Sequence, residues 1–313
     1  MKLIFMGTPD FAVPSLERLL ADGHEIRLVV TQPDKPVGRK QILTPPPVKQ
    51  FAEAHGLPVY QPRSMRTPEA EETLRKAGPA EAIIVVAYGK ILPKNILQLT
   101  PRGCINVHGS LLPKYRGAAP VQWAVLNGDA ESGVTTMQLD EGVDTGDILL
   151  MQRRPLDDQI TGGELFDLLA ADGAELLSRT LCELEAGRLQ PTPQPVQGAC
   201  YASMLNKSMS PLEWTKPAGV LHNQVRGMNP WPVASTVYAQ KTLKVYRSRV
   251  ADGNTAAGQP GEVLSLSPLV IACGEGTALE LVEVQYEGAR RMPAADFLRG
   301  HPLQVGEHLG AQP

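Results

Sequence analysis

Residues 103–120 read GCINVHGSLLPKYRGAAP, and this stretch is the most informative part of the sequence for predicting the fold. Residues 104–108 have the apolar pattern of a short strand. Asn106 and His108 therefore share a face, because residues i and i+2 of a strand point the same way. A single histidine on a strand is more often structural than catalytic. An amide and an imidazole together at the end of a strand, just before a Gly-Ser turn, are nevertheless better suited to a site than to a core.

The sequence around this strand predicts a parallel sheet. Residues 2–6 and 25–31 are apolar strand patterns, and an amphipathic helix pattern over 11–20 lies between them. This βαβ order implies parallel strands. Residues 81–88 form a continuous apolar run, which is typical of a central strand covered on both faces. We therefore predict an α/β fold with a doubly wound, mostly parallel, Rossmann-like sheet.

A change of composition indicates where this sheet domain ends. Residues 190–198 read QPTPQPVQG, a Pro- and Gln-rich stretch without periodicity. Several short strand patterns follow it, and they favour a small OB-like β-barrel. We predict a catalytic domain over 1–189, a linker over 190–206 and an OB-like domain over 207–313.

The length, composition and net charge of the chain argue against several classes of protein. A chain of 313 residues with 42% hydrophobic and 20% charged residues has the size and composition of two folded domains. Its net charge of −3 argues against holding nucleic acid by bulk attraction alone. The four cysteines lack metal-ligand spacing, so we expect no metal, and free thiols favour the cytoplasm. No apolar stretch reaches the length of a membrane span, and no GxGxxG or GxxxxGK[ST] motif indicates a nucleotide.

Two loops carry further polar residues. Residues 32–49, QPDKPVGRKQILTPPPVK, have a basic surplus. They form either an ordinary solvated loop or a clamp for a polyanion. Residues 139–147, LDEGVDTGD, hold four acidic residues without the spacing of an EF-hand, so calcium is not indicated. A carboxylate from this loop beside a neutral histidine would orient the ring or accept a proton.

These motifs resemble those of the methionyl-tRNA formyltransferase family, and the match covers nearly the whole chain. The most specific are Asn-x-His-x-Ser-Leu-Leu-Pro at 106–113 and Asp-Thr-Gly-Asp at 144–147. The others are GTPDF at 7–11, QPD at 32–34, VAYG at 86–89, RGAAP at 116–120 and NPWP at 229–232. Glycinamide ribonucleotide and UDP-amino-sugar formyltransferases share the first two motifs. The resemblance therefore indicates the donor, 10-formyltetrahydrofolate, more strongly than the acceptor.

The resemblance implies a reaction and a set of site residues. The formyl group of 10-formyltetrahydrofolate would pass to the α-amino group of methionyl initiator tRNA for translation initiation, in a cytoplasmic monomer. Such a transfer needs an oxyanion donor and a proton acceptor. Asn106 would donate to the oxyanion, His108 would stabilise charge or move a proton, and Asp144 would orient His108 and a water. The folate would contact Tyr88, Ile91, Leu92, Ser110, Leu111, Leu112, Pro113 and Asp140, although Ile91 and Leu92 also suit plain core packing. The tRNA would contact Lys35, Arg39, Lys40 and Lys207.

Three alternatives stay open. An amino-sugar formyltransferase would share the whole first-domain site. A hydrolase of 10-formyltetrahydrofolate would use water as the acceptor. A non-catalytic RNA-binding protein would use only the second domain. The polar residues at the sheet edge and the low basicity count against this last alternative.

Overall fold

The chain opens with a strand, a helix and a second strand, as the sequence predicts. A computed structural model describes residues 1–38, 40–251 and 258–310. The strands are β1 (Lys2–Gly7), β2 (Glu25–Val30), β3 (Lys35–Val37), β4 (Ile42–Thr44), β5 (Val59–Tyr60), β6 (Ala82–Val86), β7 (Cys104–His108), β8 (Arg116–Gly117), β9 (Glu131–Gln138), β10 (Ile148–Pro155), β11 (Tyr201–Ala202), β12 (Ala234–Tyr238), β13 (Lys241–Val250), β14 (Val263–Leu266), β15 (Leu269–Ala272), β16 (Ala278–Tyr286) and β17 (Met292–Pro293). The helices are α1 (Val13–Ala21), α2 (Pro47–Ala54), α3 (Pro68–Lys76), α4 (Lys94–Leu97), α5 (Pro120–Leu126), α6 (Gly162–Glu185), α7 (Ala218–Gly227) and α8 (Ala294–Gly300).

The chain divides into two units. The first contains residues 1–120, 131–155 and 166–203. The second contains the chain from Met204 onward together with the earlier segments 121–130 and 156–165. The domain bounds at 189 and 207 stay a prediction. In the ranges that the structure describes, no helix is both long and apolar enough to cross a membrane.

The first unit is built on a seven-stranded sheet. Its strand order is β10-β9-β7-β6-β1-β2-β5. The five strands β7, β6, β1, β2 and β5 run parallel, whereas β9 and β10 form an antiparallel edge. The mostly parallel α/β sheet predicted from the sequence is therefore confirmed.

Helices cover both faces of this sheet. On one face Ile4 of β1 packs in a core with Leu74 of α3 and Ile96 of α4. On the opposite face α6 comes close to β7, since a Cβ added at Gly173 would lie 2.9 Å from Val107 Cγ1. Coverage on both faces explains why the central strands read as continuous apolar runs rather than alternating ones.

Strand β7 has the bounds that its sequence predicts, and it brings its polar residues to the edge where ligands bind. It lies between β6 and β9, and all five of its residues are buried. Cys104 faces the core beneath α3 and α4. Asn106 and His108 follow on that same face toward the carboxyl end of the strand. Ligands of open α/β sheets bind outside the carboxyl ends of the parallel strands.

The antiparallel edge differs from expectation. The pattern of residues 133–139 predicts one strand, and the sequence indicates no further strand before an amphipathic helix pattern over about 161–187. The structure has β9 over Glu131–Gln138 and then a second strand, β10, paired with it. Only Leu149 of the eight β10 residues is buried. An edge strand that buries so little has a weak apolar pattern, which is why the sequence did not reveal it.

The part of the second unit after Met204 is a small antiparallel β domain that carries α7 and α8. Its strand order is β12-β13-β16-β15-β14, and β17 pairs with β16. Its core joins Leu221 of α7 and Phe297 of α8 to Trp214 and to strand residues such as Val245 and Ile271. A small β domain after the parallel sheet is therefore confirmed.

We predict that Gly133→Ala destabilises the first unit. Gly133 lies in β9, and a Cβ there would be 2.1 Å from the carbonyl oxygen of Gln152 and 2.6 Å from Leu111 Cδ2. The neighbouring strand would have to move, so the free energy of unfolding should fall by about 3 kcal/mol. Chemical denaturation measures this change. The control is Gly219→Ala, which meets open space in a helix and should be neutral or slightly stabilising. Equal unfolding midpoints for the two variants would contradict the prediction.

Candidate active site

His108 ends β7 with its ring held by a backbone carbonyl. Its side chain is almost buried, and Nε2 lies 2.9 Å from the carbonyl oxygen of Tyr115. A carbonyl oxygen can only accept, so Nε2 carries the hydrogen of this bond. In the neutral ring Nδ1 is then the nitrogen with a free lone pair. Tyr115 reaches this position in a tight turn, with φ at +59°.

Asp144 brings a carboxylate to the other side of the ring. Its Oδ2 lies 3.7 Å from His108 Nδ1, which is too long for a hydrogen bond. The same oxygen accepts a 2.8 Å hydrogen bond from the backbone N–H of Gly117. Proton uptake at Nδ1 would therefore create a cation beside a fixed anion.

Asn106 presents an amide with no partner of its own. Its side chain is nearly buried, yet within 1–38, 40–251 and 258–310 nothing forms a hydrogen bond with it. The two-residue step along β7 separates it from His108 by about 7 Å. Amides in such surroundings are normally satisfied, because leaving one unpaired costs free energy. A carbonyl oxygen of a ligand would satisfy the Asn106 N–H.

The turn after β7 is fixed by Ser110 and Thr135. Ser110 is fully buried, and its hydroxyl donates to the carbonyl oxygen of Lys114 at 2.6 Å. Thr135 donates to the Ser110 carbonyl at 2.6 Å and accepts from the Leu112 N–H at 3.2 Å. Leu112 is buried, whereas the predicted neighbours Leu111 and Pro113 are partly exposed. Ser110 thus shapes the turn, and Leu111 and Pro113 offer accessible apolar surface.

The loop after β6 contains both buried and exposed residues. Tyr88 and Leu92 are buried in the core under α3 and α4, whereas Ile91 is 61% exposed. The Tyr88 hydroxyl is buried without a hydrogen-bond partner among the described residues. Burial raises the pKa of this hydroxyl above its usual value. Of the three predicted folate contacts here, Ile91 is the one already open to a ligand.

Asp140 organises the loop that carries Asp144. It is itself exposed, and its carboxylate accepts hydrogen bonds from the Thr145 hydroxyl at 2.8 Å and from the Gly142 N–H at 3.0 Å. Asp140 therefore closes the loop across its base. Residues 139–147 therefore form an ordered turn with internal hydrogen bonds, rather than a group of freely solvated charges.

Within residues 32–49, where the sequence predicts a loop, β3 and β4 form a β-hairpin and residues 47–49 begin α2. β3 pairs with β4 in antiparallel register, and Val37 lies opposite Ile42. Lys35 and Lys40 are exposed, while Arg39 lies outside the described residues. Pro36 within β3 and the prolines at 45–47 directly after β4 hid this pairing, since proline usually demotes a strand prediction.

Hydrogen bonds from Lys49 and Gln61 to the Asp34 carboxylate hold the hairpin where it joins the rest of the first unit. Lys49 Nζ lies 2.9 and 3.0 Å from the two carboxylate oxygens of Asp34, and Gln61 donates to the same carboxylate at 2.8 Å. These bonds hold the pKa of Asp34 below its usual value. Lys35 donates to Gln32 Oε1 at 2.8 Å, and Gln32 Nε2 donates to the Tyr88 carbonyl at 2.9 Å. The hairpin is thus joined to the loop after β6.

Two polar residues near Asp144 were given no role by sequence reasoning, although Arg116 belongs to the RGAAP motif. Arg116 and Gln194 bind each other, and Gln194 also binds the backbone of Asp144. Residues 190–198 gave no periodic signal, so nothing in the sequence marks Gln194. Lys207, the remaining predicted tRNA contact, is exposed in a short 3-10 turn of the second unit.

Family comparison agrees with this geometry. The model described as "Formyl transferase" matches residues 1–181, and the one described as "Formyl transferase, C-terminal domain" matches residues 204–302. The chain therefore belongs to the formyl transferase family.

Full-length relatives carry one particular name, methionyl-tRNA formyltransferase. The relative from Acetivibrio thermocellus is 47% identical, over 99% of this chain and 100% of its own length. The relative from Solibacter usitatus is 49% identical, over 99% of both chains. The family resemblance inferred from the motifs is therefore confirmed.

The fold also recurs in a distant solved structure. It is the N-formyltransferase from Helicobacter canadensis in complex with folinic acid and dTDP-3-aminofucose. The TM-score is 0.69 at 19% identity, over 93% of this chain and 100% of that one. At this identity the likeness concerns the fold alone.

We predict that Asn106→Ala removes formyl transfer without unfolding the protein. No described residue relies on the Asn106 amide, so the melting temperature should stay close to that of the wild type. Loss of an oxyanion donor typically lowers turnover by about 10²–10³-fold. Steady-state kinetics and thermal melting measure both quantities. Asn95→Ala, which removes a surface amide bound to Glu71, is the matched control and should retain full turnover. Near wild-type turnover of Asn106→Ala would show that the amide has no part in the reaction.

Proposed function

We propose that this chain transfers the formyl group of 10-formyltetrahydrofolate to the α-amino group of methionyl initiator tRNA. The observation that carries the proposal is the 3.7 Å approach of the Asp144 carboxylate to His108 Nδ1, on the face of β7 that also holds the unpartnered Asn106 amide. The names of relatives at 47% and 49% identity support this acceptor.

The first step forms a bond between the amine nitrogen and the formyl carbon. The carbonyl electrons move to the formyl oxygen, which becomes an oxyanion. The Asn106 N–H is available to donate to that oxygen, because no described side chain or backbone group occupies it. A donor that is already oriented in a nearly buried position is worth about 3 kcal/mol in the transition state.

In the second step a proton moves, the oxyanion electrons re-form the carbonyl bond, and the bond from the formyl carbon to N10 of the folate breaks. The attached amine must lose a proton, and N10 must gain one as it leaves. His108 Nδ1 has the free lone pair to accept the proton, because Nε2 already donates to Tyr115. The imidazolium then lies beside the Asp144 carboxylate, which stabilises it until the proton passes to N10.

The folate is proposed to lie along two loops at the sheet edge. Exposed Ile91 and partly exposed Leu111 and Pro113 supply apolar contacts that suit a pterin ring. The full set in this proposal is Tyr88, Ile91, Leu92, Ser110, Leu111, Leu112, Pro113 and Asp140. Of these, Tyr88, Leu92, Ser110 and Asp140 act by shaping the two loops through the packing and hydrogen bonds described above.

The tRNA is proposed to contact the hairpin and the second unit. Lys35 and Lys40 are exposed on the hairpin, and Lys207 is exposed on the second unit. Ammonium groups of this kind bind phosphate oxygens without reading sequence. Arg39 completes the proposed set on sequence grounds. The protein is further proposed to act in the cytoplasm as a monomer, with domains bounded near 189 and 207.

We predict that the protein formylates methionyl initiator tRNA, and that it formylates a small amine much more slowly. Purified protein is mixed with 10-formyltetrahydrofolate and one of three acceptors: charged initiator tRNA, a UDP-4-amino-sugar, or water alone. The value of kcat/KM with tRNA should exceed that with the sugar by at least about 100-fold, because tRNA offers a long row of phosphates to the basic residues and the sugar nucleotide offers only its diphosphate. Preferred formylation of the sugar, or release of formate without an amine, would overturn the proposal.

We predict that Lys40→Ala weakens tRNA binding and leaves chemistry intact. Each lysine that neutralises one phosphate adds about 0.9 to the slope of log affinity against log salt. The variant should therefore raise KM for tRNA several-fold and lower this slope by about one, with kcat and the folate KM unchanged. Lys76→Ala, an exposed lysine on α3 that pairs with Glu72, is the control. An unchanged tRNA KM and salt slope for Lys40→Ala would exclude Lys40 from the tRNA contact.

A further inference from the structure

Gln194 is the one half-buried residue in an otherwise exposed segment. Its neighbours at 191–193 and 195–200 are all exposed, and Val196 reaches 92% exposure. The segment follows the long helix α6, and the sequence marks it only as a connector. Gln194 therefore attaches the middle of this connector by its side chain, while Cys200 at the end of the segment accepts from the Tyr115 N–H through Sγ at 3.2 Å.

The Gln194 amide uses all of its hydrogen-bonding capacity. Its Oε1 accepts from Arg116 Nε at 3.1 Å and from Arg116 Nη2 at 2.7 Å. Its Nε2 donates to the carbonyl oxygens of Asp144 at 2.9 Å and Gly146 at 2.8 Å. A primary amide has two donor hydrogens and two acceptor lone pairs, so none is left over. The reversed amide would place oxygen against two carbonyls, which fixes the orientation.

These bonds hold Asp144 from its backbone. Asp144 has φ at +53°, in the left-handed region that residues with a side chain rarely adopt. Its carboxylate is held by the N–H of Gly117, and Gly117 is the direct neighbour of Arg116 in β8. The main chain and the side chain of Asp144 are therefore both tied to the same strand, the first through Gln194 and the second directly.

We propose that Gln194 is a positioning residue for the transfer reaction. It holds the backbone at Asp144 so that the carboxylate faces His108 Nδ1, and it affects turnover only through that carboxylate. This role rests on the proposed function. Gln194 does not reach the ring itself, because its donors end on backbone carbonyls and its acceptor ends on Arg116.

Gln194→Glu tests the donor half of the bridge. The carboxylate keeps the length of the side chain and can still accept from Arg116, but it cannot donate to Asp144 or Gly146. Displacing a reacting group by about 1 Å can cost about 100-fold in rate. We expect kcat for formyl transfer to fall by about 10–100-fold, with the KM values for folate and tRNA within two-fold of wild type.

Gln197→Glu is the matched control. It introduces the same charge three residues further on, at an exposed position for which no hydrogen bond is recorded. Its kcat should equal that of the wild type. A loss of rate in Gln197→Glu equal to that in Gln194→Glu would assign the effect to charge alone and overturn the inference.

A double-mutant cycle with Asp144→Asn separates positioning from general damage. Asparagine tolerates the left-handed backbone and removes the charge. If Gln194 acts through the carboxylate, Gln194→Glu should lower single-turnover rates by less than about two-fold in the Asp144→Asn background. Effects that simply multiply would mean independent action, and would overturn the inference.

The outcomes keep this inference apart from the proposed function. A wild-type protein that transfers no formyl group to methionyl-tRNA defeats the proposed function. An active wild type with full kcat in Gln194→Glu defeats the positioning role alone. If Gln194→Glu does not fold, Gln194→Met replaces it in the same cycle, with the melting temperature recorded beside kcat. Methionine keeps the length and removes both halves of the bridge, so the same non-additivity is expected.

Discussion

The hydrogen bond from His108 Nε2 to the carbonyl oxygen of Tyr115 is the constraint on which the site depends. It orients the imidazole and places the hydrogen on Nε2, so Nδ1 is left to face the Asp144 carboxylate. The bond exists because the turn after β7 is closed by Ser110 and Thr135, which brings Tyr115 back over the strand it follows. A histidine on the same strand without that turn would be free to present either nitrogen.

Around this bond, a strand holds Asn106 and His108 rigidly, whereas a loop holds Asp144 and can adjust. Asn106 and His108 belong to a strand buried between two others, so their separation is set by the backbone ladder. Asp144 belongs to a loop, and its position depends on single hydrogen bonds from Gly117 and Gln194. A carboxylate held in this way can adjust by a small movement relative to His108 Nδ1, while the Asn106 amide, carried by the strand, stays fixed.

The sequence predicted the parts of this arrangement that have local causes. The bounds of β7 follow from an apolar run between glycines, and the polar face follows from the period of a strand. The edge strand β10 and the hairpin escaped prediction because weak burial and prolines blur their pattern. Gln194 could not be predicted at all, since its partners Asp144 and Arg116 lie 50 and 78 residues away in the chain. The sequence predicts which loops lie at the carboxyl edge of the sheet, but it does not predict which side chains hold those loops in place.

The ion pair between Asp34 and Lys49 has a consequence for how such proteins diversify. It joins the residue directly before β3 to the first turn of α2, which follows β4, and Gln61 donates to the same carboxylate. The segment between Asp34 and Lys49 can therefore be lengthened, shortened or replaced with little disturbance to the seven-stranded sheet. Changes confined to the hairpin would then leave the candidate site at the end of β7 in place.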